Sequence, residues 1–286
     1  MRLGHVLFIL LLATGSARAQ EHVTFASLDG NGTEQPTQID GYLLRGKGAG
    51  PLPAVVFQHG CGGLLTGVGH QPESRQMDWA GRLNARGIHV LMVDSFTARR
   101  SGEMCSQSGF KLWLYHKRPA DAYGGMAWLR TQPYVASDRI GLMGWSNGGG
   151  SALMALGRGR ANGRPAASTG PDFRAAIAFY PGSCDPARLG TDWTTNVPLL
   201  ILQGEKDVWT PYLPCKALAD LGKALGGPVE LHAYPNAYHD FDWPNLKRKE
   251  LHAYTTSKGV VPITGEDPES HADAIVRVQD FLARHL

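Results

Sequence analysis

The sequence has little of what several function classes require. Beyond its first dozen residues it carries no apolar run approaching the roughly 20 residues that a helix needs to cross a bilayer. Its four cysteines include no C-x-x-C pair, which argues against a zinc ribbon or a thioredoxin-like redox site. No block of lysine and arginine forms a nucleic-acid stripe. The 28 basic residues nearly balance the 25 acidic ones, and Arg158-Gly-Arg160 with Arg164 reads as a solvated loop. There is no internal repeat and no low-complexity linker, so the pattern describes one domain. No metal-ligand cluster or cofactor motif is found, and none is expected.

The opening segment has its own chemistry. Arg2 gives a positive start, Val6 to Leu12 an apolar run, and Ala17-Arg18-Ala19 a small-residue cleavage signal before Gln20. Residues 1–19 are expected to be a cleaved secretory signal peptide, which places residues 20–286 in the periplasm or outside the cell, with no membrane attachment. In such an oxidising compartment an even cysteine count points to disulfides. Four cysteines allow three connectivities. Cys61–Cys105 and Cys184–Cys215 are favoured, because each pair follows strands expected to be neighbours. Each bridge would contribute about 2–4 kcal/mol.

Strand and helix patterns alternate along the rest of the chain. His22 to Ala26 and Ile39 to Arg45 read as an antiparallel hairpin, with the second as an edge strand. Ala54 to Phe57, Ile88 to Asp94, Ile140 to Met143, Arg174 to Tyr180, Val197 to Leu202 and Val229 to Tyr234 are apolar enough for strands buried on both faces. Helices are expected at Met77 to Arg86, Ala120 to Arg130, Ser151 to Leu156, Tyr212 to Leu225 and Pro268 to Leu286. In the last, Ala272, Ile275, Val276, Val278, Phe281 and Leu282 are candidate core positions. Ser95 to His116 reads as a long loop. The fold class is α/β, a mostly parallel twisted sheet with helices on both faces and an N-terminal hairpin.

Chemistry-bearing residues collect at the carboxyl ends of these strands, where a doubly wound sheet places its site. Gly144-Trp-Ser146-Asn-Gly148 lies between a strand and a helix, the context of a nucleophile elbow. Asp207 follows a later strand and His239 the last. The order Ser146, Asp207, His239 fits nucleophile, acid and base. A serine hydroxyl needs an imidazole to take its proton, and the imidazole needs a carboxylate to hold it in one tautomer. Glu205 is a rival acid. His232, His252, His271 and His285 are weaker rivals for the base. The loop His59-Gly-Cys-Gly-Gly63 is suited to an oxyanion hole, with backbone N–H groups from Cys61 and Asn147 as the donors. Trp145, Tyr180, Trp209 and Trp243 are candidate pocket residues, and Tyr238 and Phe241 lie near them. Arg99 and Arg100 read as solvated surface rather than as partners for a substrate carboxylate.

From about Ala54 onward the chain resembles the dienelactone hydrolase family of α/β-hydrolases. The likeness rests on the His59 loop, Val93-Asp-Ser-Phe96, Asp138-Arg-Ile-Gly with Gly-Trp-Ser-Asn-Gly, Gly204-Glu-Lys-Asp207 and Tyr238-His-Asp-Phe241. It implies the α/β-hydrolase fold, with Ser146, Asp207 and His239 as nucleophile, acid and base. The family's namesake enzymes use a cysteine nucleophile where this chain has serine, so the resemblance implies a general ester or lactone hydrolase acting on a small molecule. A peptidase or polyester depolymerase on the same residues, or a non-catalytic ligand-binding relative, remains open at this level. A histidine base requires hydrolysis to decline below about pH 6.5. A rate that stays flat from about pH 8 to pH 5, with the fold intact, would sink that assignment.

Overall fold

The computed structural model describes residues 20–30, 34–67, 70–159 and 163–286. The expected signal peptide, 1–19, and Arg160 lie outside the described residues. The first strand, β1 (Glu21–Ala26), pairs antiparallel with β2 (Gln38–Leu44), which pairs antiparallel with β4 (His89–Asp94). From there every neighbour is parallel through β3 (Leu52–Gln58), β5 (Val135–Trp145), β6 (Ala176–Phe179), β7 (Leu199–Gly204) and β8 (Val229–Tyr234). The sheet order is β1-β2-β4-β3-β5-β6-β7-β8. The expected hairpin is present, but β2 is not an edge strand, because β4 covers its second side.

The central strands carry unbroken apolar runs, such as Ala54 to Phe57 and Ile140 to Met143, because both sheet faces are covered. Successive residues show this: Ala54 and Val56 of β3 join one core, Val55 and Phe57 the other. The first core takes in α2 (Leu112–Arg130), α3 (Asn147–Leu156) and α5 (Tyr212–Ala224), through Tyr123, Leu153 and Leu218 among others. The second is closed by α1 (Ser74–Ala85) and α6 (Pro268–His285), through Trp79, Leu83, Val278 and Phe281. In α6 the buried stripe is Ala274, Val278, Phe281 and Leu282, spaced for a 3.6-residue turn. Ala272 and Val276 fall on the opposite side and face solvent, contrary to expectation.

Three helices begin earlier than their sequence suggests: α1 at Ser74 rather than Met77, and α2 and α3 as follows. Pro119 lies inside α2, where it disfavours the helical conformation of the residue before it. Burial of Leu114, Tyr115 and Arg118 overrides that preference, so residues 112–116 are helix rather than loop. The start of α3 runs through Gly148, Gly149 and Gly150. There the backbone approaches its neighbours too closely for side chains. A Cβ on Gly148 would collide with the carbonyl oxygens of Gln58 and His59, and one on Gly150 with that of Gly182. A fourth, short helix, α4 (Pro186–Leu189), has no counterpart in the sequence reading; Asp185 caps it.

Both expected disulfides are formed. Cys61–Cys105 spans 4.9 Å between Cα atoms and Cys184–Cys215 spans 4.5 Å. Arg99 departs from expectation. Its side chain is buried, donating to Asp29 (2.9 Å) and to Asp121 (2.7 Å). Those partners lie 70 and 22 residues away in sequence, too far to be read locally. Among the described residues, no helix is long and apolar enough to cross a membrane.

Replacing Gly148 by alanine should cost several kcal/mol, above the roughly 1–3 kcal/mol of ordinary overpacking, because carbonyl oxygens cannot move aside as side chains do. Urea denaturation of G148A beside the parent protein checks this, and an unchanged midpoint would refute it.

Candidate active site

Ser146 sits between β5 and α3 with φ 52° and ψ −114°, a backbone region costly for a residue with a Cβ. Surrounding bonds hold it there. Its N–H donates to Phe179 O (2.9 Å), and its carbonyl accepts from Gly150 (2.9 Å) and Gly182 (2.7 Å). The turn also needs glycine on either side. A Cβ on Gly144 would strike the Gly148 carbonyl. The result is a side chain carried on a sharp bend, with its hydroxyl directed at His239.

Asp207 and His239 complete the line. Ser146 Oγ donates to His239 Nε2 at 2.9 Å, and His239 Nδ1 donates to Asp207 Oδ2 at 2.7 Å. The backbone N–H groups of Trp209 and Thr210 donate to Asp207 Oδ1 at 2.8 and 2.9 Å, and the Thr210 hydroxyl reaches Oδ2 at 2.7 Å. Every lone pair facing the imidazole is thereby oriented. Glu205, the rival acid, is exposed on its loop. Burial works against a charged His239, but the Asp207 carboxylate, and behind it Asp240, outweigh burial and raise the imidazole above its ordinary range.

A second layer packs behind His239. The Tyr180 ring lies 4.5 Å from the imidazole and the Trp209 ring 4.9 Å. The Tyr180 hydroxyl donates to Asp242 Oδ1 at 2.5 Å and accepts from Arg75 Nη1 at 2.8 Å. The other Asp242 oxygen accepts the indole N–H groups of Trp79 (2.8 Å) and Trp145 (2.7 Å). Arg75 also donates to Asp240 (2.5 Å), which takes a further bond from the Thr264 hydroxyl (2.6 Å). Although burial disfavours the charge, His239 and Arg75 hold the Asp240 carboxyl below its usual range.

Ser146 and His239 open into a cavity of about 310 Å³. One wall is the loop after β3, at Gly60, Cys61 and Gly62, together with Cys105 across the disulfide. The other is aromatic, with Trp209, Trp243 and Tyr254. Trp209 stacks on Tyr254 at 5.7 Å. A Cβ on Gly60 would stand 4.0 Å from the Ser146 Cβ, so this loop passes directly beside the serine. Trp209 and Trp243 are therefore where pocket residues were expected. Trp145 and Tyr180 are not, since both are fully buried and spend their polar atoms on Asp242. Phe241 is core as well. Of the two arginines considered for a carboxylate, Arg99 is engaged by Asp29 and Asp121, and Arg100 is exposed outside the cavity.

Sequence reading missed three charged groups on the cavity wall: Glu73, Arg75 and Lys249. Burial pushes the Glu73 carboxyl up to about 7, against the pull of Arg75 at 3.6 Å. None of the three belongs to a motif or follows a strand of the main sheet, so only the folded chain brings them to the serine. A larger cavity, about 830 Å³ and bounded by Leu28, Tyr115, Lys117 and Leu189, contains none of Ser146, Asp207 and His239. Among the described residues, no three or more His, Cys, Asp or Glu side chains are grouped to hold a metal ion.

The model of the dienelactone hydrolase family matches residues 39–286. The chain belongs to that family. Family membership supports a hydrolase. A Mycobacterium tuberculosis protein provisionally named a phosphoribosyl transferase is 30% identical over 196 residues, which is 68% of this chain and 38% of that protein. The chain thus spans well under half the length of the curated relatives it matches. Among solved structures, a dienelactone hydrolase-like promiscuous phosphotriesterase from metagenomic libraries superposes with a TM-score of 0.64 at 18% identity, covering 93% of this chain and 99% of the other. Esterase 2 of Thermogutta terrifontis, phosphoramylated by tabun, gives a TM-score of 0.59 at 18% identity over 93% and 95%. At these identities the likeness establishes a shared fold, the α/β-hydrolase fold of the family.

The raised His239 has a sign that can be checked. The folded protein binds the imidazole proton more tightly than the unfolded chain does. That proton therefore contributes stability below the unfolded value of about 6.5, and the contribution is lost as pH rises through the folded value. NMR titration of the His239 ring should give a midpoint above 6.5, and Asp207→Asn should lower it. A midpoint at or below 6.5 in the parent protein would contradict the assigned balance of burial and charge.

Proposed function

We propose that this protein is a serine hydrolase that cleaves small carboxylic esters or lactones through an acyl-enzyme. The observation that carries the reading is the unbroken line Ser146 Oγ, His239, Asp207, with its serine on a strained bend at a cavity. Ser146 Oγ attacks the carbonyl carbon as its proton passes to His239 Nε2, and Asp207 stabilises the imidazolium. The negative charge that forms on the carbonyl oxygen is met by the N–H groups of Cys61 and Asn147. The tetrahedral adduct collapses with cleavage of the bond to the leaving oxygen, which takes the proton from His239. Water then repeats the sequence on the acyl group, with His239 as base, and frees Ser146.

Several features support this over its rivals. The cavity, about 310 Å³, is at the small end of ligand sites, which favours a small molecule over a polymer strand. Its aromatic wall at Trp209, Trp243 and Tyr254 suits an apolar acyl or aryl group. A non-catalytic binder would have no need to hold a serine in a costly conformation against a raised histidine. The two disulfides, with the apolar leader of residues 1–19, support a periplasmic or secreted site of action.

An assay with a short-chain aryl ester, beside Ser146→Ala, tests the reading. The variant should lose activity by a factor on the order of 10⁴–10⁶. A fluorophosphonate should label the parent protein at Ser146. A folded protein that neither turns over ester nor accepts the label would overturn the proposal.

A further inference from the structure

Arg118 is fully buried near the site, and none of the roles above uses it. A buried cation is costly unless a carboxylate neutralises it. Among the described residues Arg118 forms no ion pair within 4.0 Å. Asp121, the first carboxylate acting on it, is taken by Arg99 at 2.7 Å. Its guanidinium is spent instead on two neutral oxygens. Nη2 donates to the His59 carbonyl at 2.6 Å, and Nη1 donates to the side-chain oxygen of Asn147. The Phe96 ring lies 5.3 Å beneath the guanidinium and packs edge-on against the His59 ring at 4.5 Å.

Those two acceptors belong to different parts of the chain. His59 begins the loop that carries Cys61, and Asn147 is the residue after Ser146. Among the described residues the Asn147 amide oxygen accepts from no side chain but Arg118, so the fork ties the two segments to each other. Asp121 and Asp94 act on the Arg118 charge from beyond ion-pair distance, so a cation that no carboxylate touches stands directly behind them. Burial pulls the guanidinium down to about 10, still protonated throughout the working range of a histidine base.

We propose that Arg118 is the positioning residue of the oxyanion site. It clamps the Cys61 and Asn147 segments at one spacing, and its fixed charge favours the negative oxygen that develops between them. The inference rests on the hydrolase reading above. It adds a residue that acts through both proposed N–H donors without touching the substrate. Clamp and charge predict a specific signature. Charge on the carbonyl oxygen exists in the tetrahedral adduct and not in the bound ester, so losing Arg118 should lower kcat and spare KM.

The test compares the parent protein with Arg118→Met, of similar length without charge, and Arg118→Lys, which keeps charge and loses the fork. In R118M, kcat for an aryl acetate should fall about 10²–10³-fold, the effect of losing one oxyanion donor, with KM within about twofold. R118K should fall between the two. Phenylboronic acid, which forms an anionic tetrahedral adduct on a reactive serine, should weaken in R118M by the same factor as kcat. Inhibition by the neutral product phenol should not change. Hydrogen exchange of the amides in 58–63 and 144–150 should quicken in R118M, and this readout needs no turnover. If the parent protein lacks turnover and label, the hydrolase reading fails on its own, while exchange still reads the clamp. An R118M protein with the parent kcat, or with unchanged exchange in both segments, would overturn the proposal. Should R118M fail to fold, R118K with parent kcat and parent boronate affinity would overturn it equally.

Discussion

A single buried carboxylate organises everything behind Ser146. Asp242 is shut away from water, where an ionised carboxylate is tolerated only when its lone pairs are filled. Three donors fill them: the indoles of Trp79 and Trp145 and the phenol of Tyr180. Each donor comes from a different element. Trp79 is on α1, Trp145 ends β5 one residue before the serine, and Tyr180 follows β6. Asp242 itself lies three residues past His239. One acid thus ties the helix under the sheet, the strand that presents Ser146 and the loop that presents His239.

Positive charge reaches the site from two sides, and the structure treats the two arginines differently. Arg75 is compensated by Asp240 and Glu73, and its remaining bond to Tyr180 passes into the Asp242 cluster. Carboxylates around it raise its proton affinity despite its burial. Arg118 has Asp121 and Asp94 only beyond ion-pair distance, and burial takes its affinity the other way. Arg75 is thus ion-paired on the base side of Ser146, while Arg118 is hydrogen-bonded to neutral oxygens on the other.

The residues legible in the sequence were those tied to local geometry. Ser146 announces itself through flanking glycines that the bend requires, and Asp207 and His239 through their places at strand ends. The cysteine pairs followed from strand neighbours. What escaped was chemistry made only by contact. Arg75, Glu73, Arg118 and Asp242 belong to no motif, and Arg75, Arg118 and Asp242 find partners in distant parts of the chain. Aromatic residues were ambiguous for a related reason. Trp145 and Tyr180 sit beside the reactive residues in sequence, yet alternation along β5 and the turn after β6 direct them inward to Asp242. The start of α2 escaped because Pro119 is a local signal that tertiary burial outvotes.

The Cys61–Cys105 bridge has a consequence beyond fastening one loop. It closes a covalent ring of chain that contains α1 and β4, and so holds Arg75, Trp79 and Asp94 together with the loop beside Ser146. A single backbone cut anywhere inside that ring would leave both fragments attached to the site they help to build. In the oxidised molecule a nick in this quarter would be survivable, whereas the same nick in a reduced molecule would set one wall of the cavity adrift.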